Sequence, residues 1–212
     1  MLTPEELQKQ KQNFIDLLAE TNRPGMDKLL AWLQATDFFE APASTRFHLN
    51  YEGGLLEHSL NVYYVLEQLS YLRYSPKTPT DFTIPKDTII ITALLHDICK
   101  ANTYKKGQRW RKDANNRWEQ YDVYEFKEDE PLGHGEKSVF LLQRAGLQLT
   151  EKEVYMIRWH MGGFEAQGNQ MTLSAAMAKC PEIALIHSAD IIASSILENN
   201  DKESEEQENV KN

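Results

Sequence analysis

The segment Ala93-Leu94-Leu95-His96-Asp97-Ile98-Cys99-Lys100 places a histidine and an aspartate side by side in an otherwise apolar run. The residues from Thr88 to Leu95 are almost wholly apolar, which predicts a buried helix that contains the pair. Burying an imidazole and a carboxylate costs free energy unless a partner compensates both groups. A divalent metal ion does so, because it takes one neutral nitrogen and one anionic oxygen as ligands.

Four further polar residues lie in helical segments or at predicted helix ends: His58, His134, His160 and Asp190. His58 follows the pair Gly53-Gly54, and His160 precedes a second glycine pair of the kind that ends helices. An unpaired Asp190 midway along an apolar helix would be costly. A lone His-Asp pair is commonly a core histidine satisfied by its neighbour, but these separate residues taken together favour a metal site.

The composition is that of a globular protein, with 212 residues, 41% of them hydrophobic, and a net charge of −9. We assign residues 1–198 to one domain, with N-terminal helices in 1–50 and the core in 51–197. The stretch from Glu198 to Asn212 is acidic with almost nothing to bury, which predicts a flexible tail over 199–212.

Neither an export signal nor a membrane-length apolar stretch is found, which favours a cytoplasmic protein that works away from membranes. In that compartment Cys99 and Cys180 are expected to be reduced thiols, and we interpret Cys99 as a small buried residue rather than a ligand.

Hydrophobic periodicity predicts a mainly α fold with one inserted β-hairpin. A hairpin is expected over about 103–126, with strands at Thr103–Arg111 and Trp118–Phe126 around a turn at 113–116. Thr3 and Pro4 start the first helix. The other helices are predicted at Met26–Gln34, Leu55–Leu72, from Thr88 through the His-Asp pair, and at Glu136–Ala145, Glu151–Met161, Leu173–Ala178 and Glu182–Leu197.

The order His58, His96-Asp97, Asp190 resembles the HD-domain metal-dependent phosphohydrolases, which are helical bundles. The segments Gly-Gly-Leu-Leu-Glu-His, ending at His58, and Leu-Leu-His-Asp-Ile, followed by Cys99 and Lys100, are similar to the HD domain of 3′–5′ exoribonucleases of the YhaM type. The resemblance covers roughly Tyr51 to Ser195. Cys99 stands where that group usually has glycine.

The resemblance implies a site for one or two divalent ions, drawn from Mn, Fe, Co, Ni or Mg. The first ion is expected on His58, His96, Asp97 and Asp190, and a second on Asp97, His134 and His160. Asp97 is the expected catalytic carboxylate and can bridge two ions. Lys100 lies three residues later on the same helix face and is predicted to be catalytic by holding a phosphate oxygen, although a solvated helix-end cation is an equal alternative from the residues alone.

Two other histidines and the hairpin are assigned lesser roles. His187 precedes Asp190 by three residues and is expected to orient it, while His48 is expected at the surface or the substrate mouth. Substrate-binding side chains are predicted on the basic hairpin and beside it: Lys100, Lys105, Lys106, Arg109 and Arg111. Solvated faces of an edge hairpin explain the same pattern equally well.

These patterns predict a phosphohydrolase that acts on a nucleotide or short oligonucleotide through metal-activated water. The alternatives are a metal-retaining HD module that senses a nucleotide without turnover, and a 3′–5′ exoribonuclease. Long nucleic acid is an unlikely partner, because the chain is acidic overall and clusters few basic residues.

Overall fold

The computed structural model describes residues 2–45, 47–71, 84–127, 129–165 and 168–198. Over these residues the chain is mainly helical, with one two-stranded antiparallel sheet, as predicted. The elements are α1 (Pro4–Glu20), α2 (Met26–Ala35), α3 (Gly54–Ser70), α4 (Lys86–Leu95), β1 (Tyr104–Lys112), β2 (Trp118–Phe126), α5 (His134–Arg144), α6 (Glu151–Arg158), α7 (Gln170–Lys179) and α8 (Ile183–Ile192).

Two predicted helix starts are confirmed by their capping geometry. Thr3 and Glu6 form a reciprocal capping box ahead of α1, with Pro4 in the first turn. At the start of α3, Gly53 has φ of +86°, and a Cβ on Gly54 would collide with the Leu49 carbonyl. The glycine pair therefore fixes where α3 begins, and with it the position of His58 one turn further on.

A single hydrophobic cluster joins the N-terminal helices to the rest of the molecule. It includes Phe14 of α1 and Leu29 of α2 together with residues of α3, α4, α6 and α8. The rings of Phe14, Phe38 and Phe39 pack with centroids 5.3–5.6 Å apart. Helix α3 packs against both α4 and α8, so residues from three separate parts of the sequence meet beside His58.

Two predicted helices end earlier than the periodicity indicates, each just before a candidate ligand. Helix α4 ends at Leu95, so the His96-Asp97 pair lies in the turn that follows, not inside the helix. Helix α6 ends at Arg158, not at Met161. In both turns the histidine Nδ1 lies 2.7–2.8 Å from the backbone oxygen three residues earlier, Ala93 or Ile157. These side chains satisfy carbonyls that the ended helices leave open.

The predicted bounds of the other helices differ from the observed ones by smaller amounts. Helix α5 starts two residues earlier than predicted, at His134, and α7 is longer, over Gln170–Lys179. The helix predicted at Glu182–Leu197 is α8 followed by a π-helical turn over Ala193–Leu197. The predicted end of the third helix at Leu72 and the predicted tail at 199–212 lie outside the described residues.

Glu198, the last residue assigned to the domain, packs against the rest of it. Its side chain is 1% exposed and contacts His58 and Asn61 of α3. Within the described residues no single helix has the length and hydropathy of a membrane span; Gln170–Lys179 and Ile183–Leu197 meet those criteria only as a pair bent by 109°.

Candidate metal centre

All six predicted metal ligands converge on one buried centre. They are supplied by α3, the turn after α4, the start of α5, the turn after α6, and α8: His58, His96, Asp97, His134, His160 and Asp190. Asp97 is 3% exposed, and the side chain of His134 is 30% exposed. The centre therefore opens toward solvent on the side of His134.

His96 and His160, which follow α4 and α6, each direct the lone pair of one ring nitrogen into the centre. A backbone carbonyl only accepts hydrogen bonds, so the Nδ1 atoms of His96 and His160 must carry the proton and donate it. In the neutral ring Nε2 is then an acceptor. His160 Nε2 is buried without a hydrogen-bond partner, and His96 Nε2 lies 3.3 Å from His58 Nε2. The buried acceptor of His160, which has no donor, calls for a cation.

The two carboxylate oxygens of Asp97 divide the histidines into two groups. Oδ2 faces His58 Nε2 at 3.7 Å and His96 Nε2 at 3.6 Å. Oδ1 faces His134 Nε2 at 2.6 Å and His160 Nε2 at 3.5 Å. Asp190 joins the first group, with its Oδ1 3.3 Å from His58 Nε2. This is the same division that the sequence predicts for two ions.

Glu198 is a member of the centre that the sequence analysis missed. Its carboxylate lies 3.0 Å from Nδ1 of His58 and accepts a hydrogen bond from the Asn61 amide at 3.0 Å. His48 is also closer than predicted, since its ring centroid lies 5.0 Å from that of His58 and its side chain is only 19% exposed. The one signal available in the sequence was the spacing of Glu198, eight residues or about two helical turns after Asp190.

The protonation of the neighbouring imidazoles follows from their surroundings. Burial lowers the pKa of His58, but hydrogen bonds to Asp190 and Glu198 outweigh it and raise the pKa to about 9. His96 lacks such partners, and burial lowers its pKa to about 4. Burial also lowers the pKa of His48 to about 4, assisted by the charge of His58. A proton on His58 thus supplies positive charge to the metal-free centre.

The carboxylates of the centre are ionised. Burial raises the pKa of Asp97, but the charges of Lys100 and two imidazoles hold it well below its usual range. Burial likewise raises the pKa of Asp190, and the hydrogen bond to His58 more than offsets this. The pKa of His134 is well above its usual value, because Cys99 and Asp97 together outweigh burial. Two carboxylates beside four imidazoles form a donor set that suits divalent transition metals, and the protonated imidazoles would release their protons when an ion binds.

Lys100, predicted to hold phosphate, is engaged with the protein. Its Nζ lies 2.6 Å from Asp97 Oδ2 and donates to the Ala43 carbonyl at 2.7 Å. It therefore orients the central carboxylate. An ammonium has three donors, so a contact with a phosphate oxygen is compatible with both interactions.

His187, predicted to orient Asp190, forms its hydrogen bond with another part of the centre. Its Nδ1 donates to the carbonyl of His160 at 2.7 Å, so it braces the turn that carries this candidate ligand. Cys99 is buried as predicted, but its Sγ lies 3.3 Å from His134 Nδ1, which the sequence did not indicate.

The basic residues of the hairpin are spread over both of its faces. The register places Lys105, Arg109 and Arg111 on one face and Lys106 on the other. Three of them pair with acids: Lys106 with Glu52 at 2.9 Å, Arg109 with Glu125 at 3.3 Å and Arg111 with Glu119 at 2.6 Å. A groove of about 1230 Å³ lies between the hairpin and Thr45 and Asn50–Glu52. It is lined by these same three basic residues and by three acidic ones, Glu52, Asp122 and Glu125.

The base of the hairpin adjoins the metal centre. A cleft of about 230 Å³ is lined by residues of the centre and by the first and last residues of the hairpin, among them Cys99, Lys100, Tyr104, Phe126 and His134. Arg109 lies five residues beyond Tyr104, or roughly 17 Å along the strand. The groove adjoins the cleft at Phe126, which lines both, and extends from there along the hairpin to Arg109 and Arg111.

With this geometry in place, comparison with known proteins identifies the family. The model of the HD domain matches residues 55–195, which is more than half of the chain, and the chain belongs to this family. It is also 32% identical over 85 residues to a dihydroneopterin 2′,3′-cyclic phosphate phosphodiesterase of Methanocaldococcus jannaschii. That match spans 40% of this chain and 30% of the relative. No solved structure matches the chain significantly.

Proposed function

We propose that this protein is a metal-dependent phosphohydrolase that cleaves a phosphomonoester or phosphodiester of a nucleotide or short oligonucleotide. The observation that carries the proposal is the arrangement around Asp97, whose two oxygens each face two histidine nitrogens. The orphaned His160 Nε2 fits the same interpretation. Divalent ions bound there would supply an activated water and neutralise charge on a phosphoryl group.

The side chains of the centre have separate tasks in this proposal. His58, His96, Asp97 and Asp190 would hold one ion, and Asp97, His134 and His160 the other. Lys100 keeps the Asp97 carboxylate in place and donates to a phosphate oxygen of the substrate. Because His134 is the most exposed of the six ligands by its 30% side-chain exposure, substrate would approach from its side.

The nucleoside part of a substrate fits the cleft at the base of the hairpin. Tyr104 and Phe126 line this cleft, with ring centroids 6.2 Å apart, and offer faces on which a base can stack. The relative of Methanocaldococcus jannaschii is named for a 2′,3′-cyclic phosphate, so cyclic nucleotides are candidate substrates here as well. A second candidate is the cleavage of short RNA from its 3′ end, for which Lys106, Arg109 and Arg111 in the groove along the hairpin would offer phosphate contacts.

A screen of the metal-loaded protein tests the proposal. The protein is freed of metal, loaded with Mn²⁺, Ni²⁺ or Co²⁺, and offered mononucleotides, 2′,3′-cyclic nucleotides, a model diester and short oligonucleotides. We expect phosphate or nucleotide release that Asp97→Asn abolishes and that Asp16→Asn, on the exposed face of α1, leaves unchanged. Full metal loading without turnover of any substrate would favour the nucleotide sensor instead.

A further inference from the structure

The sulfur of Cys99 lies beside the metal ligands on one side of Asp97 only. Cys99 follows Asp97 by two residues, in the 3-10 turn Ile98–Lys100, and is 4% exposed. Its N–H donates to Ser138 Oγ at 3.3 Å and its carbonyl accepts from Thr103 Oγ1 at 2.8 Å. These contacts hold the backbone of Cys99 in place beside His134.

The thiol has no well-directed hydrogen bond to that histidine. Sγ lies 3.3 Å from His134 Nδ1 and 3.6 Å from Nε2, so it is not aligned with the lone pair of either nitrogen. The ligand atoms of Asp97, Cys99 and His134 all lie within 4.8 Å of one another. Two atoms bound to one ion at about 2.0–2.3 Å are at most about 4.6 Å apart. The distances from His134 Nε2 to Cys99 Sγ, 3.6 Å, and to Asp97 Oδ1, 2.6 Å, both meet this limit.

An independent observation points to an ion at the same place. His160 Nε2 is fully buried, has no hydrogen-bond partner, and lies 3.5 Å from Asp97 Oδ1. The same Oδ1 atom lies 2.6 Å from His134 Nε2. A buried acceptor aimed at an anionic oxygen is unfavourable without a cation between them or beside them.

We propose that Cys99 supplies a sulfur ligand to the ion on the Oδ1 side of Asp97, which makes the two metal positions chemically unequal. A thiol that binds a metal loses its proton, so this position gains a soft anionic ligand. The position on the Oδ2 side has nitrogen and oxygen donors from His58, His96 and Asp190. The sulfur-bearing position therefore prefers Zn²⁺, Co²⁺ or Fe²⁺ over Mg²⁺. This inference rests on the proposed metal centre.

Cobalt spectroscopy of the metal-free full-length chain tests it without any substrate. Co²⁺ is added anaerobically, because cobalt bound to a thiolate has a charge-transfer absorption in the near ultraviolet that nitrogen and oxygen ligands do not give. We expect this absorption in the wild type and in Cys180→Ser, and its loss in Cys99→Ser. Cys180 is a matched control, since it is also a buried thiol but donates to Glu182 at 3.3 Å.

The outcomes separate this inference from the proposed function. If cobalt binds and gives its visible absorption bands but no charge-transfer absorption, the proposal of a sulfur ligand is overturned. The proposal of the metal centre itself is then unaffected. Absence of any bound cobalt would overturn both. The wild-type spectrum alone is decisive, so a Cys99→Ser variant that fails to fold does not obstruct the test. If Cys99→Ser folds, we expect its Zn²⁺ affinity to be at least about tenfold lower than that of the wild type. Mutation of residues that only support metal ligands already lowers metal affinity by that much.

Discussion

The carboxylate of Glu198 lies 3.0 Å from Nδ1 of His58, although the two residues are 140 positions apart in the sequence. This contact fixes the orientation of the His58 ring and leaves Nε2 directed at Asp97 and Asp190. A carboxylate on the far nitrogen of a histidine also makes the ring a stronger metal ligand. Glu198 therefore supports, through His58, the site predicted for the first ion.

Replacing Glu198 with glutamine is expected to weaken metal binding without removing a ligand. The variant keeps the size of the side chain and loses its charge, so Mn²⁺ or Co²⁺ affinity should fall about 10–100-fold. Isothermal titration with each metal measures the change. Glu182→Gln, at a second buried carboxylate away from the centre, serves as the control, and equal affinities in all three proteins would contradict the assigned role of Glu198.

Single histidine replacements should remove one ion at a time if Asp97 bridges two. His96→Ala is expected to lose the ion on the Oδ2 side, and His160→Ala the ion on the Oδ1 side. Metal analysis after gel filtration should then give one equivalent for each variant and two for the wild type. A wild type that never exceeds one equivalent would reduce the centre to a single ion.

The hairpin is expected to distinguish substrates by length. Replacing Lys105, Lys106, Arg109 and Arg111 together with alanine should raise KM for short oligonucleotides and leave metal content unchanged. Mononucleotides should be affected less than oligonucleotides, because two of the four residues, Arg109 and Arg111, lie roughly 17 Å or more along the strand from Tyr104 at the cleft.

The same KM measurements also test whether the basic side chains of the hairpin bind substrate. Equal KM values in the wild type and the quadruple variant for every substrate would show that these side chains form only a solvated edge. Tight, salt-sensitive binding of long single strands by the wild type would instead favour the exoribonuclease alternative.

We expect that replacement by alanine is not tolerated at Gly162 and is tolerated at the adjacent Gly163. Gly162 has φ of +55°, and a Cβ there would lie 2.7 Å from the His187 ring, which holds the His160 carbonyl. A Cβ on Gly163 would meet nothing within 4 Å. Gly162→Ala should cost on the order of 1–3 kcal/mol and lower metal affinity, both measurable by melting with and without metal. Matching melting curves for the two variants would contradict this account.

The sequence could indicate the six candidate ligands because each is a polar residue where the pattern is apolar or where a glycine marks a helix end. The residue pattern alone does not indicate which side of Asp97 each histidine faces, since that depends on how α3, α5 and α6 pack; that division was expected only from the family resemblance. The contacts that Glu198 and Cys99 make with histidines depend on the same packing. An acidic stretch and a small thiol have ordinary local explanations, and only the packed structure brings them to a histidine.

The pair of Lys152 and Glu182 should make stability depend on pH in the acidic range. Burial raises the pKa of Glu182, but the hydrogen bond from Lys152 lowers it below 4.5, its ordinary value. The ionised carboxylate thus stabilises the fold above about pH 4.5, and this contribution is lost as the pH falls through the folded-state pKa.

Urea unfolding from pH 3 to 7 measures this contribution. The difference in free energy of unfolding between the wild type and Glu182→Gln should be largest near pH 7 and shrink toward pH 3. Glu151→Gln breaks a pair in which both side chains are more than half exposed, and it should change little at any pH. A constant difference for Glu182→Gln across the range would show that its charge is not responsible.

Because the turns after α4 and α6 carry candidate metal ligands, the stability of the folded chain should depend on the supply of metal. Five segments distant in sequence contribute ligands to one small volume, so a bound ion acts as a reversible cross-link that closes several long loops at once. Chelation would leave the buried Nε2 of His160, in the turn after α6, without a partner. The lifetime of the folded chain would then follow the supply of free metal, and protease cleavage near these turns would report metal starvation.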